Sequence, residues 1–278
     1  VLGNRHRLLA ASSPTGPAFE GAQISSGQRA GPGAIERVRI DPAGGRPRVR
    51  VVGTDAWSDE PGFYSGTSAT GVTGICGSGI IEAVAELFLA GVIDRNGAIL
   101  AGHERVVPDG RTYSFRLWDD PEVRITQEDV RAIQLAKAAL YAGARLLMDR
   151  AGVEEVDEIR LAGAFGTHID PRYAMILGLI PDCDLSRVSS AGNAAGGGAI
   201  MALLSQSARI EVEDLAARIE KMETATEPRF QEHFVAAMAI PHRDHHFPHL
   251  EEWTGPGRIP PPASGHPPRP RSRVRSPR

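Results

Sequence analysis

Three runs of small residues carry the chemistry this sequence offers: GVTGICGSG at 71–79, AGAFG at 162–166 and GNAAGGG at 192–198. Each stands where a strand or turn hands over to a helix. At such a junction the backbone N–H groups are unpaired donors at the positive end of the helix dipole, and they attract anions. Removing side chains also lets a flat base or a ribose lie against the main chain. The residues that could do this are Gly77 and Gly79 in the first run, Gly163, Ala164, Phe165 and Gly166 in the second, and Gly192, Asn193, Gly196 and Gly197 in the third. Three such junctions in one chain point to a nucleotide site. For 196–198, close helix packing and ligand contact are both open readings. For Gly163 and Gly166 ligand contact is favoured, because open α/β sheets bind ligands in the loops after strand C-termini.

Competing signatures are absent. There is no G-x-x-x-x-G-K-[ST] phosphate loop, no G-x-G-x-x-G between strand and helix, and no G-x-S-x-G nucleophile elbow. Glu20 and Asp170 are the carboxylates nearest the glycine runs, and either could hold a magnesium-bound water. Solvated loop carboxylates are commoner, and no residue declares itself catalytic. His168, just past the second run, could reach a phosphate or a base edge. More often such a residue closes the loop. His242, Asp244, His245, His246 and His249 cluster in PHRDHHFPHLEE, a donor set that suits zinc or nickel. The run borders a proline-rich tail with no rigid shell to orient ligands, so no metal site is expected.

The elements that must position these runs follow an α/β layered order. Short strands are expected in HRLLAAS, RVRID and PRVRVVG, and a helix after GICGSG with Ile80, Ile81, Val84, Leu87 and Phe88 inward and Gly91 at its end. The longest helix should start at Thr126, capped with Asp129, and close at Gly152, with Val130, Ile133, Ala136, Leu140, Ala144 and Leu147 on its packed face. A buried strand at 159–162 then meets the LAGAFG loop. A short helix in PRYAMILGLI, a strand near Val188 and two amphipathic helices in EVEDLAARIEKMET and PRFQEHFVAAMAI complete the pattern.

The 278 residues, 41% of them hydrophobic, suffice for a sizeable core. At 5% aromatic content a base-stacking nucleic-acid surface is not expected, and no apolar run is long enough for a bilayer. Cys76 and Cys183 are isolated and read as reduced thiols of a cytoplasmic protein, too few for an iron–sulfur centre. From Phe247 onward six arginines face two glutamates among many prolines, a composition that cannot bury a core. The expected division is a domain over 1–250 and a disordered tail over 251–278. The first residues read as a strand already under way, so the chain is expected to be the C-terminal part of something longer.

With these residues in view a resemblance is plain. GPAFEGAQISSGQRAGPGAIERVRID, GICGSGIIEAVAELFLAGVIDR, ITQEDVRAIQLAKAALYAGARLLM, IRLAGAFGTHIDPRYAMILGLIPDCDL and GNAAGGGAIMALLS resemble the C-terminal domain of reductive activators of corrinoid proteins. These are ATPases of the acetate and sugar kinase, chaperone and actin superfamily (ASKHA). The resemblance runs from residue 1 to about 250. It implies an actin-like, ribonuclease H-like ATPase lobe with a mixed sheet flanked by helices. LAGAFG would be its adenosine motif, GNAAGGGA would start the next helix beside it, and GICGSG would lie near the interlobe hinge. It further implies ATP and Mg2+ as cofactors and a [2Fe–2S] ferredoxin-like domain outside this chain. The partner would be a corrinoid methyltransferase whose cob(II)amide is returned to cob(I)amide, and the assembly a homodimer. The superfamily's D-x-G-T phosphate loops are missing here, so the chain is expected to supply one wall of a nucleotide site rather than turn ATP over alone. A phosphotransferase of the same superfamily, or a non-catalytic interaction domain with packing glycines, are the alternatives.

Overall fold

The computed structural model describes residues 1–41, 46–255 and 257–259. Along the chain come β1 (Leu2–Gly3), β2 (Leu8–Ala11), β3 (Ala34–Arg39), β4 (Arg48–Val51), a helical turn α1 (Phe63–Gly66), β5 (Gly74–Ile75) and α2 (Gly77–Leu89). A meander of β6 (Val106–Asp109), β7 (Thr112–Asp119) and β8 (Glu122–Thr126) leads into the long helix α3 (Gln127–Ala151). Next are β9 (Ile159–Ala162), α4 (Ala164–His168), α5 (Pro171–Leu177), β10 (Val188–Gly192) and α6 (Ala194–Leu204). The remaining elements are α7 (Gln206–Arg218), β11 (Ile219–Met222), α8 (Phe230–Ala236) and α9 (Pro248–Thr254).

Among the described residues these strands form four small sheets, ordered β1–β2–β11, β9–β10, β4–β3–β5 and β6–β7–β8. Two are mixed: β2 runs antiparallel to β1 and parallel to β11, and β3 antiparallel to β4 and parallel to β5. The expected mixed α/β architecture flanked by helices is present, in several short sheets instead of one.

The two principal helices form where the apolar spacing places them. On α2, Ile80, Ile81, Val84, Leu87 and Phe88 are all buried, and Gly91 takes the left-handed conformation just beyond the end. On α3 the Thr126 hydroxyl accepts from the Asp129 amide at 3.1 Å while Asp129 accepts from the Thr126 amide at 2.8 Å, a reciprocal cap worth about 1 kcal/mol. Gly152 closes the helix at φ 71°. Val130, Ile133, Ala136 and Leu147 are buried, but Leu140 is 38% exposed on the lip of a 280 Å³ cavity between α3, β1 and β9. Leu140 therefore faces open space where a packed face was expected.

Three further expectations need correction. Strand β9 is only half buried, its residues alternating between partly covered and exposed. Residues 219–222 of the presumed helix EVEDLAARIEKMET form β11, since Ile219 to Met222 pair in parallel with Leu8 to Ala11. Pairing to a waiting edge outweighs a weak helical propensity. The boundary at 250 falls inside α9, where Leu250 is buried, and Ile259 is also in the core at 5% exposure. Most of the expected tail, 260–278, lies outside the described residues.

The core runs from β3, β4 and α2 through the meander and α3 to α5 and the 237–250 segment, with Phe63, Phe115, Ile125, Met175 and Phe247 within it. Helices α6 and α7 pack on each other and bury none of their residues, leaving Leu203 76% and Leu204 80% exposed.

Candidate functional site

Two of the three glycine junctions come together. Strands β9 and β10 are parallel neighbours, Ile159 opposite Val188 and Ala162 opposite Gly192, with a register shift between Ser190 and Gly192. Their carboxyl ends therefore sit side by side, and each runs directly into a helix. The Gly163 amide donates to the Gly192 carbonyl at 2.7 Å, which stitches the two turns into one edge. Gly163 is the N-cap of α4 at φ 98°, and Gly192 stands at φ 57°, both conformations that L side chains rarely adopt. The Thr167 hydroxyl donates to the Gly163 carbonyl at 3.0 Å, and Asn193 caps α6 by accepting from the Gly196 amide at 3.0 Å.

What a methyl group would meet at each glycine separates positions that border open space from packing ones. At Gly163, Gly192, Gly197 and Gly198 nothing lies within 4 Å of an added Cβ, so these four border open space. At Gly166 a Cβ would come within 2.9 Å of the Leu161 carbonyl carbon, so this glycine is needed for α4 to fold back on its own strand. At Gly196 it would strike the Asn193 side chain that caps the helix. Gly79 faces the backbone of Ile35, and its missing side chain lets α2 lie close on β3. Packing thus accounts for the bareness of Gly79 and Gly166, and at Gly196, where packing and ligand contact were both open, the space is taken by the capping Asn193 side chain. Gly77 opens α2, which packs chiefly on β3 and also touches α4. The backbone of Ala164 and Phe165 forms the first turn of α4; their side chains lie outside the described part.

The carboxylates expected nearby are differently employed. Asp170 caps α5 by accepting from the Arg172 amide at 2.9 Å and forks onto the Arg172 guanidinium. Burial alone would raise its pKa, but the hydrogen bonds from Arg172 hold it below the usual carboxylate range. An aspartate so engaged has little capacity left for a magnesium-bound water. Glu20 is exposed in a short 3-10 turn, and His168 is exposed at the end of α4. Among the described residues no group of three or more His, Cys, Asp or Glu is arranged to hold a metal ion.

The histidine run is the largest surprise. It is packed against α3, not at the root of a loose tail. Lys137, 1% exposed, donates to the Pro241 carbonyl at 2.7 Å and to the Ala239 carbonyl, and burial pushes its amine well below the ordinary range. His242, 1% exposed, stacks on His245 at 4.0 Å between ring centroids, and the Tyr141 hydroxyl bonds His245 Nδ1 at 2.7 Å. Burial drives the His242 pKa down to about 2 and that of His245 to about 4, so both are neutral imidazoles. His249 bonds Asp182 at 2.7 Å. The cluster is a structural clasp. Its one sequence signal was the inward position of Lys137 on α3, easily passed over as a solvated charge. The cysteines behave as expected: both are buried and free, Cys76 donating to the Ile35 carbonyl at 3.3 Å and Cys183 to that of Val156 at 3.6 Å.

Residues 1–251 match the family described as the C-terminal domain of RACo, the ASKHA domain. Corrinoid activation enzyme RamQ of Eubacterium limosum is 35% identical over 252 residues, covering 84% of this chain and 40% of that protein. The [Co(II) methylated amine-specific corrinoid protein] reductase of Methanosarcina barkeri is 30% identical over 189 residues, 63% of this chain and 31% of the relative. Among solved structures, a reductive activator for corrinoid, iron–sulfur protein superposes with a TM-score of 0.76 at 35% identity, covering 89% of this chain and 38% of that one. The chain thus spans about two fifths or less of the length of these relatives. Its family match covers nearly the whole folded body: the chain belongs to the ASKHA-domain family of corrinoid reductive activators.

Proposed function

We propose that this chain is a nucleotide-binding lobe of a reductive activator that returns an inactive Co(II) corrinoid, carried by a partner methyltransferase, to Co(I). One observation carries the reading: Gly163 and Gly192 line a bare edge at the carboxyl ends of two adjacent parallel strands, with open space where side chains would stand there and at Gly197 in the first turn of α6. That edge fits the adenosine end of ATP, with the donors of the Asn193-capped helix turned toward it. In the proposed reaction ATP, accompanied by Mg2+, supplies the free energy that an uphill one-electron reduction of cobalt requires. What the chain's own residues do is narrower. Gly163 and Gly192 admit the ligand to the main chain, Asn193 fixes the first turn of α6, and the Thr167 hydroxyl holds the Gly163 carbonyl in place.

An iron–sulfur centre does not fit this chain. Four cysteine ligands are needed, whereas Cys76 and Cys183 are buried and each donates to a different backbone carbonyl. The electron would have to enter from elsewhere. A phosphotransferase of the same superfamily would need a catalytic aspartate near the edge, and Asp170, the nearest by sequence, is bound to Arg172. We propose further that the corrinoid protein docks on this lobe and that the activator works as a homodimer. Two measurements test the reading. Titration with a fluorescent ATP analogue should show saturable binding that Gly197→Leu removes. ATP turnover by the full-length activator should rise with a corrinoid protein and not with a sugar or an organic acid; stimulation by the sugar instead would overturn it.

A further inference from the structure

A cavity of about 470 Å³, apart from the glycine edge, is walled by Arg37 and Arg39 of β3, Arg50 of β4, Arg172 of α5 and Trp57. Its volume lies within the range of small-molecule sites. Arg37 and Arg50 are directly opposed across the β3–β4 pair, an arrangement that costs stability unless something compensates it. The compensation is placed behind the arginines. The Glu82 carboxylate, 1% exposed, accepts from Arg37 at 2.8 Å, from Arg39 at 2.6 Å and from the Val38 amide at 2.9 Å, and Glu36 accepts from Arg50 at 3.1 Å. Asp170, itself on the cavity wall, pairs with Arg172. Four positive charges face three negative ones, and of the three carboxylates only Asp170 lines the cavity. The carboxylates are 1 to 23% exposed, and the guanidiniums 23 to 42%, on the cavity side. Arg39 is also fixed in plane, its guanidinium 5.2 Å from the Trp57 ring centre and 4.9 Å from that of Tyr173.

A guanidinium has five N–H donors, and among the described residues Arg37 and Arg50 each spend one nitrogen on a carboxylate. One arginine satisfies a planar carboxylate, whereas cations converging from a sheet and from a helix suit a tetrahedral dianion with several oxygens. We propose that this cavity is a binding site for a phosphate-bearing small molecule, a phosphate ester or a pyrophosphate, separate from the nucleotide edge.

The test is calorimetric titration of the chain with inorganic pyrophosphate at about 0.15 M salt. Citrate and a glutamate-rich peptide serve as comparators. Binding is expected, with Arg50→Gln and Arg172→Gln each weakening it about tenfold or more, and Arg50→Lys falling between, since it keeps the charge and loses the fork. Gly197→Leu, which alters the other edge, should leave pyrophosphate binding unchanged. Arg50 pairs with a partly exposed glutamate, so its variants should keep the parent melting temperature and decide the matter even if Arg172→Gln fails to fold. Absence of pyrophosphate binding, equal binding by Arg50→Gln, or loss of binding in Gly197→Leu would each overturn the assignment. Tighter binding of the glutamate-rich peptide than of pyrophosphate would do so too, marking a protein-docking surface instead.

Discussion

Replacing Gly197 by leucine separates the nucleotide edge from the fold that carries it. Gly197 is the fourth residue of α6, and nothing lies within 4 Å of a side chain added there. In the helix, leucine is better than glycine by roughly 0.5–0.8 kcal/mol, because the glycine backbone loses more freedom on folding. For a chain of this size that raises Tm by about 1–3 °C. The effect on a bound adenosine has the opposite sign. A base laying on the order of 100 Å² of its face on the main chain gains roughly 2.5 kcal/mol at about 25 cal/mol per Å². A leucine occupying that space removes it, a weakening of roughly 70-fold. Titration with a fluorescent ATP analogue and a thermal melt of the same preparation read the two effects together. Lost binding with an unchanged or raised Tm is the expected result. Parent-like affinity with the raised Tm would refute the reasoning, because the leucine would then sit in space no ligand uses. Gly163→Val is a poorer probe, since at φ 98° any side chain adds backbone strain of its own.

Glu82→Ala should cost about 3 kcal/mol and lower Tm by roughly 6–12 °C, because it strands Arg37 and Arg39 and leaves the Val38 amide without its acceptor; a chemical denaturation curve checks this. Gly166→Ala, pressed against Leu161, should cost about 1–3 kcal/mol by the same measurement. Deleting residues 254–278 removes Ile259 from the core, so a loss of about 1.5–3 kcal/mol is expected where composition alone promised none. His245 is held neutral in the folded state, with a pKa near 4 against 6.5 in the open chain. The unfolded state therefore binds the extra proton, and this contribution to stability is present above about pH 6.5 and lost as pH falls toward 4. Melting temperatures at stepped pH should fall more steeply for the parent than for His245→Phe, each pH unit being worth up to about 1.4 kcal/mol.

Much of this architecture was readable from local pattern. The Thr126–Asp129 cap, the Gly152 stop and the inward stripe of α2 depend on neighbours three or four residues away, so the sequence states them directly. The meander had a signal too: Asp109 and Thr112 pair across a two-residue turn with Gly110 at φ 60° in its first position, the place glycine takes in a type II′ hairpin. Glycine function was legible only in part. A bare backbone looks the same in sequence whether the space is filled by Ile35, by Leu161 or by nothing, and only the fold tells Gly79 and Gly166 from Gly163 and Gly197. The arginine cavity was hidden for a related reason. Alternation at 37, 39, 48 and 50 reads as a solvated strand face until Arg172 is brought in from a helix far along the chain.

Lys137 sets an order on the building of the molecule. Its amine is satisfied by carbonyls of Ala239 and Pro241, and Gln134, one turn earlier on α3, donates to the Met238 carbonyl at 2.7 Å. These bonds join points about a hundred residues apart, the kind of closure that forms late because so much chain entropy must be surrendered first. During synthesis α3 is complete long before its acceptors leave the ribosome. Until residue 241 emerges, the inner face of α3 keeps a hydrated ammonium where the finished protein has a sealed interior.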